Sequence, residues 1–348
     1  MIYWLTREDF ADTAQKLSRG FGDEFRELRP LSYEQVFYEK KAPRGHYIFS
    51  DFDRMSSYEV ECAIAFTDAI RVESPESKIL NDPRSVLERV PLLKKLHSLG
   101  LNQFEVTRVD SGDRPTRYPV FLRSEDECKG PDTGMLSSPE ELEHALEELK
   151  NSGHTLKRRI AVEFCAQVDD NGWFRKYGVA NIDGKIIPLH IMRSKDWNVK
   201  IRGSEYDESF AEEEEKFVFE NPHQDQLQQI FESAHIDFGR IDYTLIDGKI
   251  QTFEINTNPT YPQFKGRKDA RSKRRALART RVLDALTTMN SPRLSGQAIQ
   301  FSLPKPCLQR PRIPRKSRFS TRLSWAFKEW ESWDFTLLIS EISRKLRR

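Results

Sequence analysis

HIDFGRIDYTLIDGKIQTFEINTNPTYP, residues 235–262, holds two alternating segments, 239–246 and 249–257, joined by Asp247-Gly248. An Asp-Gly pair between alternating segments is a strong signal for a β-hairpin, so we predict two antiparallel strands. Successive side chains of a strand point to opposite faces. One face is therefore apolar and predicted to be core: Ile241, Tyr243, Leu245, Phe253 and Ile255. The other face is polar: Arg240, Asp242, Thr244, Glu254 and Asn256.

The register of this hairpin determines whether its two carboxylates meet. A strict two-residue turn would place Asp242 opposite Phe253 and direct Glu254 to the other side of the sheet. A three-residue bulged loop would restore the parity and bring Asp242 and Glu254 together. Because a polar face of this kind is costly to bury without a ligand, we predict the bulged loop.

The polar face has the chemistry of a metal and phosphate site. Two carboxylates and an amide oxygen are hard ligands that suit Mg²⁺, which commonly shares its coordination with substrate phosphates. Arg240 would hold a phosphate oxygen. The alternative is a solvated hairpin with a charged outer face.

The spacing Arg240-x-Asp242, followed by Glu254-x-Asn256 and Pro259, resembles the metal-binding end of the ATP-grasp superfamily. The pattern is close to its D-alanine–D-alanine ligase and glutamate ligase branches. The resemblance is specific over 235–262 and looser over about 80–235. It implies that Asp242, Glu254 and Asn256 hold Mg²⁺ on the phosphates of ATP, and that Arg240 is catalytic. It also implies an α/β fold, in which a small α/β domain precedes two lobes that clamp the nucleotide.

The same resemblance assigns roles to residues outside the hairpin. Arg123 ends a predicted strand, 118–123, where the family has a phosphate-binding lysine, and it is expected to bind phosphate and assist catalysis. The turn 129–134, beginning with Lys129, resembles the family's phosphate loop, although a plain surface turn is the alternative. One of Arg175 and Lys176 should face the phosphates. The hinge expected to bind adenine, or alternatively a buried edge strand, is Glu163, Phe164, Cys165 and Ala166.

Composition limits the class of protein. The 348 residues are 37% hydrophobic and 32% charged, with a formal net charge of +2. No stretch approaches the roughly 18 apolar residues of a membrane span, and the first ten residues contain acids and no signal-peptide core. The cysteines at 62, 128, 165 and 307 have no metal-ligand spacing. We expect reduced thiols in a cytoplasmic protein.

Alternating strand and helix patterns predict a parallel α/β domain over 1–80. No glycine-rich phosphate motif follows its strands, which argues against a classical dinucleotide fold. Asp51, Asp53 and Arg54 follow a strand, where ligand-binding residues lie in open α/β sheets, although a solvated loop is the favoured alternative. Residues 81–290 are predicted to form the ATP-grasp domain, with lobes of about 81–160 and 161–290.

The chain ends in a basic region. Nine basic residues within 265–281 would attract an anionic substrate or form a solvated helix face. Residues 291–348 are predicted to be a basic, proline-containing linker and an amphipathic helix. That helix could fold back on the chain or contact a protein partner or a membrane surface. No specific nucleic-acid binding is expected, because aromatic residues are not interleaved with the basic ones.

The function that follows is ATP- and Mg²⁺-dependent ligation of a carboxylate to an amine through an acyl-phosphate. The substrate would be a small-molecule or glycan-linked carboxylate, possibly anionic overall. Thr260 stands where these ligases often have glycine, which bears on the acceptor chemistry. Two alternatives remain: a kinase of a small molecule or glycan with the same ATP site, and a non-catalytic nucleotide-binding or scaffolding protein.

Overall fold

The computed structural model describes residues 1–126, 130–200, 206–261 and 271–304. The strands are β1 (Ile2–Thr6), β2 (Leu28–Ser32), β3 (Lys41–Ala42), β4 (His46–Phe49), β5 (Ile79–Leu80), β6 (Val106–Arg108), β7 (Val120–Ser124), β8 (Arg159–Glu163), β9 (Phe174–Ile182), β10 (Lys185–Ser194), β11 (Phe238–Ile246), β12 (Lys249–Asn256) and β13 (Ile299–Gln300). The helices are α1 (Asp12–Phe21), α2 (Tyr33–Glu39), α3 (Ser57–Glu73), α4 (Arg89–Ser98), α5 (Pro139–Asn151), α6 (Glu208–Glu220), α7 (Gln224–Ala234) and α8 (Ser272–Met289).

The N-terminal part is a parallel α/β unit, as its alternating pattern predicts. Its strands pair in the order β2-β1-β4-β5, and every pair is parallel. Helix α3 begins at a capping box, in which Ser56 and Glu59 satisfy each other's backbone N–H groups. Its buried residues Phe66 and Ile70 pack beneath the sheet. The loop that carries Asp51 and Asp53 therefore lies between two well-packed elements, β4 and α3.

Two antiparallel sheets follow. The first has the order β6-β8-β7, and α5 packs on it through Leu142 and Leu146. The second has the order β10-β9-β11-β12 and shares one large apolar cluster with α6, α7 and α8. Side chains from both sheets line a common cavity. The predicted fold class, α/β with two lobes around a cavity after a small α/β unit, is confirmed by this arrangement.

Helix α4 begins later than the sequence indicates. Asp82-Pro83 predicts a helix start with a kink at Pro91, but the helix starts at Arg89. Pro91 therefore lies in its first turn, where the missing N–H removes no helical hydrogen bond. Residues 83–85 form a turn and 86–88 are irregular, so Arg89 lies at the helix N-terminus, beside the cavity.

The first residues of the predicted C-terminal extension belong to the N-terminal unit. Strand β13 pairs with β3, and Ile299 is fully buried in the cluster that contains Phe66. The ring of Phe301 lies 5.0 Å from that of Phe66. The predicted amphipathic helix lies outside the described residues. Across the parts of the chain that the structure describes, no helix is both long and apolar enough to cross a membrane.

Candidate functional site

The 238–256 hairpin has the predicted strands but a different irregularity. Ile246 pairs with Lys249, so Asp247-Gly248 is a two-residue turn, and both of its residues have positive φ, as such turns require. The predicted three-residue loop is wrong. A bulge instead lies within β12, where the register shifts between Asp242 and Tyr243. Asp242 is thereby paired with Glu254, and the predicted meeting of the two carboxylates is present.

The bulge also changes the position of Phe253. This residue is predicted to share the core face of Ile255, but it packs instead with the cluster around Val90 and Leu93. Its ring lies 6.4 Å from that of Phe104 and forms part of the cavity wall. An extra residue in one strand redirects the side chain at the bulge, which explains why strict alternation misplaces Phe253.

A cavity of about 280 Å³ lies in front of the paired carboxylates. One end is aromatic: the ring of Trp197 lies 5.0 Å from Phe121 and 6.1 Å from Phe164, and Phe174 lies 6.3 Å from Phe164. The other end is charged and contains Asp242 and Glu254. Flat aromatic walls at one end and charges at the other suit a ligand with a planar base and an ionic tail.

Asp242 lies between two cations. Its carboxylate accepts a hydrogen bond from Arg240 Nε at 2.8 Å, and its Oδ2 is 3.4 Å from Lys176 Nζ. Burial alone would raise the pKa of Asp242, but the charges of Arg240 and Lys176 outweigh it, and the pKa is well below its ordinary value. Asp242 is therefore an anion that faces the cavity.

Glu254 is held in the same way by a second pair of cations. Its Oε2 contacts Arg89 and lies 3.7 Å from Arg123 Nη2. Burial opposes ionisation, but Arg89 and then Arg123 lower the pKa of Glu254 below its ordinary value. Arg123 therefore lines the cavity. Arg89 was missed because the predicted helix began six residues earlier, at Pro83, and placed Arg89 inside that helix.

The choice between Arg175 and Lys176 favours Lys176. Both residues line the cavity, but Arg175 donates to Glu213 at 2.7 Å and to Asp169 at 2.6 Å. Lys176 is ion-paired with Asp242 at the charged end. Of the two, Lys176 is therefore the one in contact with the carboxylate pair.

Arg240 and Asn256 lie beside the large cavity but do not line it. Arg240 donates to the carbonyl of Thr260 at 2.6 Å as well as to Asp242. The side-chain oxygen of Asn256 accepts from the backbone N–H of Asn258 at 2.8 Å. Asn256 lines a second cavity, of about 50 Å³, which also has Glu254 and Arg89 in its wall. The predicted third metal ligand thus lies on the far side of Glu254.

The loop after β4 meets this second cavity. Asp51 is buried and accepts from Asn258 Nδ2 at 3.0 Å, from the Arg7 backbone N–H at 3.0 Å and from Arg54 at 2.6 Å. These three donors give Asp51 a structural role. Asp53 lines the cavity, and burial, partly offset by Arg54, raises its pKa to about 6. The predicted solvated loop is therefore wrong at Asp51, and Asp53, which is partly exposed, lines the second cavity.

The predicted hinge segment lines the aromatic end of the large cavity. All four of its residues contribute: Glu163, Phe164, Cys165 and Ala166. The Glu163 carboxylate accepts from the backbone N–H of Glu105 at 2.9 Å and from Arg117 Nε at 3.1 Å. Burial raises the pKa of the Cys165 thiol to about 11, so this thiol is protonated at neutral pH.

Part of the predicted phosphate loop also lines the cavity. Gly130 and Pro131 form its wall, and Gly130 has a φ of 100°, which favours glycine. Asp132 and Thr133 are tied back to β7, through hydrogen bonds to the backbone of Leu122 at 2.7 and 3.0 Å. Lys129 lies outside the described residues.

The described basic residues of the 265–281 stretch have partners within the protein. Arg271 and Arg274 bind the fully buried carboxylate of Glu214 at 2.8 and 3.0 Å. Arg279 pairs with Glu24 at 2.7 Å, and Arg281 donates to the carbonyls that end α6. These contacts favour a structural role for the described part of this stretch over capture of an anionic substrate.

The residues at the charged end fit Mg²⁺ by the chemistry of their donors. Asp242 and Glu254 are ionised, are cross-strand partners, and supply hard oxygen ligands. Around them are four cations, Arg89, Arg123, Lys176 and Arg240, whose charges exceed those of the carboxylates. No group of three His, Cys, Asp or Glu side chains able to hold a metal occurs in the described ranges. The two carboxylates therefore need oxygens from another source, as phosphates would supply.

No protein-family model and no curated protein matches the sequence. Solved structures are similar to it at 12–15% sequence identity. D-alanine–D-alanine ligase from Bacillus anthracis, complexed with ATP, has 12% identity and a TM-score of 0.47, covering 83% of this chain and 96% of that one. The ATP-grasp ligase PsnB, complexed with a minimal precursor, has 13% identity and a TM-score of 0.49, covering 83% and 99%.

A third similar structure is the D-Ala:D-Ser ligase VanG from Enterococcus faecalis. It has 12% identity and a TM-score of 0.46, covering 83% of this chain and 98% of that one. The two lobes around a cavity, after a parallel α/β unit, form the fold that the ATP-grasp resemblance implies. The candidate site itself is described from the side chains of this chain, chiefly Asp242 and Glu254.

Proposed function

We propose that this protein is an ATP- and Mg²⁺-dependent ligase that activates a carboxylate as an acyl-phosphate for attack by an amine. One observation carries the proposal. Asp242 and Glu254 are paired across a bulged hairpin and face a cavity that is aromatic at one end and cationic at the other. A nucleoside triphosphate with its metal matches both ends of this cavity. The domain limits 1–80 and 81–290 are retained as part of the proposal.

The residues at the charged end have distinct roles. Asp242 and Glu254 would hold Mg²⁺, with Asn256 as the proposed third ligand. Bound Mg²⁺ supplies charge neutralisation on the phosphates. Lys176, Arg89 and Arg123 stabilise the charge of the transferring phosphoryl group, which is the main task of a protein in this chemistry. Arg240 fixes the Asp242 carboxylate in position.

The reaction has two steps. A carboxylate oxygen of the substrate attacks the terminal phosphorus, and the bond to ADP breaks with its electron pair on ADP. The amine nitrogen then attacks the acyl carbon, phosphate leaves with the electrons of the carbon–oxygen bond, and the amine loses a proton. Asp53, one of the four acids that line the second cavity, is the proposed acceptor of that proton.

Binding of ATP with and without Mg²⁺, measured by calorimetry on wild type and Glu254→Gln, tests the proposal. We expect Mg²⁺-dependent binding that weakens by about tenfold or more in the variant, since an ionised metal ligand is lost. Binding that does not need the metal, or no binding, would contradict the ligase and favour the scaffolding alternative. A phosphorylated product without an amide would identify the kinase alternative.

A further inference from the structure

Three cavities of this protein have wall residues in common. The large cavity and the small second cavity share Arg89 and Glu254 in their walls. The second cavity shares Glu88 and Glu125 with a third, open groove of about 590 Å³. Arg89 and Glu254 therefore lie between the first two cavities, and Glu88 and Glu125 lie between the second cavity and the groove. A ligand in the groove would lie next to the second cavity, which has Glu254 in its wall.

The groove has a balanced set of charges. Among the residues that the structure describes, it is lined by three cations, Arg108, Lys157 and Arg158, and three acids, Glu88, Asp110 and Glu125, with no aromatic residue. A single-stranded nucleic acid needs a positive groove with aromatic stacking platforms, and this groove has neither. Mixed charges instead suit a chain that carries both signs and many hydrogen-bonding groups, which is the chemistry of a polypeptide.

The inner edge of the groove is rigidly built around Arg158. This residue has a φ of 57°, a conformation that is uncommon for residues other than glycine. Its backbone N–H donates to Asp110 Oδ2 at 2.8 Å, which holds it there. Its guanidinium contacts Glu88 at 3.1 Å and Asp126 at 2.7 Å. Strained residues persist where the surroundings fix them, commonly at functional sites.

The edge is also connected directly to the reaction centre. The side chain of Glu125 is 1% exposed and accepts from Arg108 at 2.9 Å and 2.5 Å. The backbone carbonyl of Glu125 accepts from Arg89 Nη1 at 2.5 Å, and Arg89 holds Glu254. The groove wall and the metal-binding carboxylate are thus parts of one hydrogen-bonded structure, so a chain bound in the groove would lie in a fixed position relative to Glu254.

We infer that the groove binds an extended peptide segment of the substrate, whose reacting carboxylate or amine reaches the second cavity. The inference rests on the proposed function and deepens it. The substrate is then a polypeptide instead of the small-molecule or glycan-linked carboxylate that the sequence suggests. The open groove, of about 590 Å³, is much larger than the second cavity, so a free amino acid bound at the reaction centre would leave it unused.

The experiment compares two probes in an assay of MgATP-dependent ADP release. One probe is a pool of randomised decapeptides, and the other is a mixture of the twenty free amino acids at the same total carboxylate concentration. We expect the peptide pool to give a rate at least about tenfold higher, because the groove contributes binding only to the longer chain. Equal or greater stimulation by the free amino acids, or no stimulation by the pool, would overturn the inference.

Two surface variants test whether stimulation of ADP release by the peptide pool depends on the groove. Lys157→Glu reverses an exposed charge in the groove, and Ser111→Trp fills it with a bulky ring. Lys94→Glu and Ser152→Trp are matched controls on exposed positions outside the groove. We expect the groove variants to raise KM for the pool by roughly three- to tenfold with little change in kcat. A KM equal to that of the controls would refute the assignment.

Calorimetry of MgATP binding on the same preparations separates the two proposals. If MgATP binds and only free amino acids stimulate ADP release, the peptide groove is wrong while the ligase proposal stands. If MgATP does not bind to the wild type, the ligase proposal is wrong, and the peptide groove, which rests on it, is wrong as well. Retained MgATP binding in Lys157→Glu and Ser111→Trp shows that these variants are folded.

Discussion

Lys176 and Arg175 are adjacent cations with different partners, and the difference can be tested. Lys176 contacts Asp242, whereas Arg175 is held by Glu213 and Asp169. We expect Lys176→Met to lower the rate of ADP formation by about a hundredfold or more, the usual effect of removing one transition-state donor. Steady-state assays with saturating ATP would measure it.

Arg175→Met is the matched control for that substitution. It removes the same charge one residue away, but it breaks an ion pair with Glu213 outside the charged end of the cavity. We expect a smaller loss of activity together with a lower thermal stability. If Arg175→Met were the more damaging to kcat, the assignment of Lys176 to the phosphates would be wrong.

Asp53 gives the proposed reaction a pH dependence. Burial raises the pKa of this carboxyl to about 6, so it accepts a proton as the pH falls through 6. Protonation removes its ability to take a proton from the amine. We expect kcat/KM to fall below pH 6 in wild type, and Asp53→Asn to be slower at pH 8 and to lose that limb of the profile.

A pH–rate profile of both proteins, from pH 5 to 9, checks this expectation. Glu76→Gln is a suitable control, because Glu76 is a surface acid remote from the second cavity. An acid limb that is unchanged in Asp53→Asn would show that another group titrates there, and Asp53 would then have no part in proton transfer.

The hairpin shows what the sequence could predict and what it could not. Alternation and the Asp-Gly turn predicted the strands, and the cost of burying a polar face without a ligand added the bulge that brings Asp242 and Glu254 together. They did not locate the irregularity, because a bulge in the loop and a bulge at Phe253 restore the same parity. Packing of Phe253 against Phe104 favours the second position, and that contact joins residues almost 150 positions apart.

Arg89 shows a second limit of the same kind. Its role depends on where α4 begins and on a contact with Glu254, which lies 165 residues further along the chain. Local capping signals at Asp82-Pro83 were stronger than those at Glu88. The predicted helix therefore began too early, and Arg89 was taken as an interior helix residue. Arg123, and one of Arg175 and Lys176, were singled out because their positions resemble the family pattern.

Gly178 on β9 is required by the packing of the neighbouring strand. It pairs with His190 on β10 and with Asp242 on β11. A Cβ at position 178 would lie 2.5 Å from Cε1 of the His190 ring and 2.6 Å from Nε2. We expect Gly178→Ala to reduce the free energy of unfolding by about 1–3 kcal/mol, the range for overpacking. Denaturant unfolding would measure it.

His190→Ala provides the test of that cause. If the clash with the ring is responsible, the double variant Gly178→Ala/His190→Ala should lose less stability than the sum of the two single variants. Strict additivity would mean that the alanine acts through the backbone alone. Burial lowers the pKa of His190 to about 3, so the ring is neutral and the comparison does not depend on pH near 7.

The N-terminal unit is completed by residues from the far end of the described chain. Ile299 is fully buried, and Phe301 packs on Phe66. We expect a chain ending at residue 298 to lose about 3 kcal/mol or more relative to one ending at residue 304, because two large apolar side chains are removed from the core. Chemical denaturation of the two truncated chains would measure the difference.

Equal stability of the two truncated chains would show that β13 adds nothing to the core. Ile299→Ala in the full chain is a milder version of the same test. It should lose about 2–5 kcal/mol if the side chain is as closely packed as its burial indicates.

The pairing of Asp242 and Glu254 with cations has a consequence for the order of addition of the ligands. Free Mg²⁺ would have to displace charges that are tethered to the protein and already in contact with both acids. A triphosphate offers those cations an alternative anion, and so releases the carboxylates for the metal. The nucleotide and its metal are therefore expected to bind as one unit, and free Mg²⁺ at millimolar concentration to leave the protein's melting temperature unchanged.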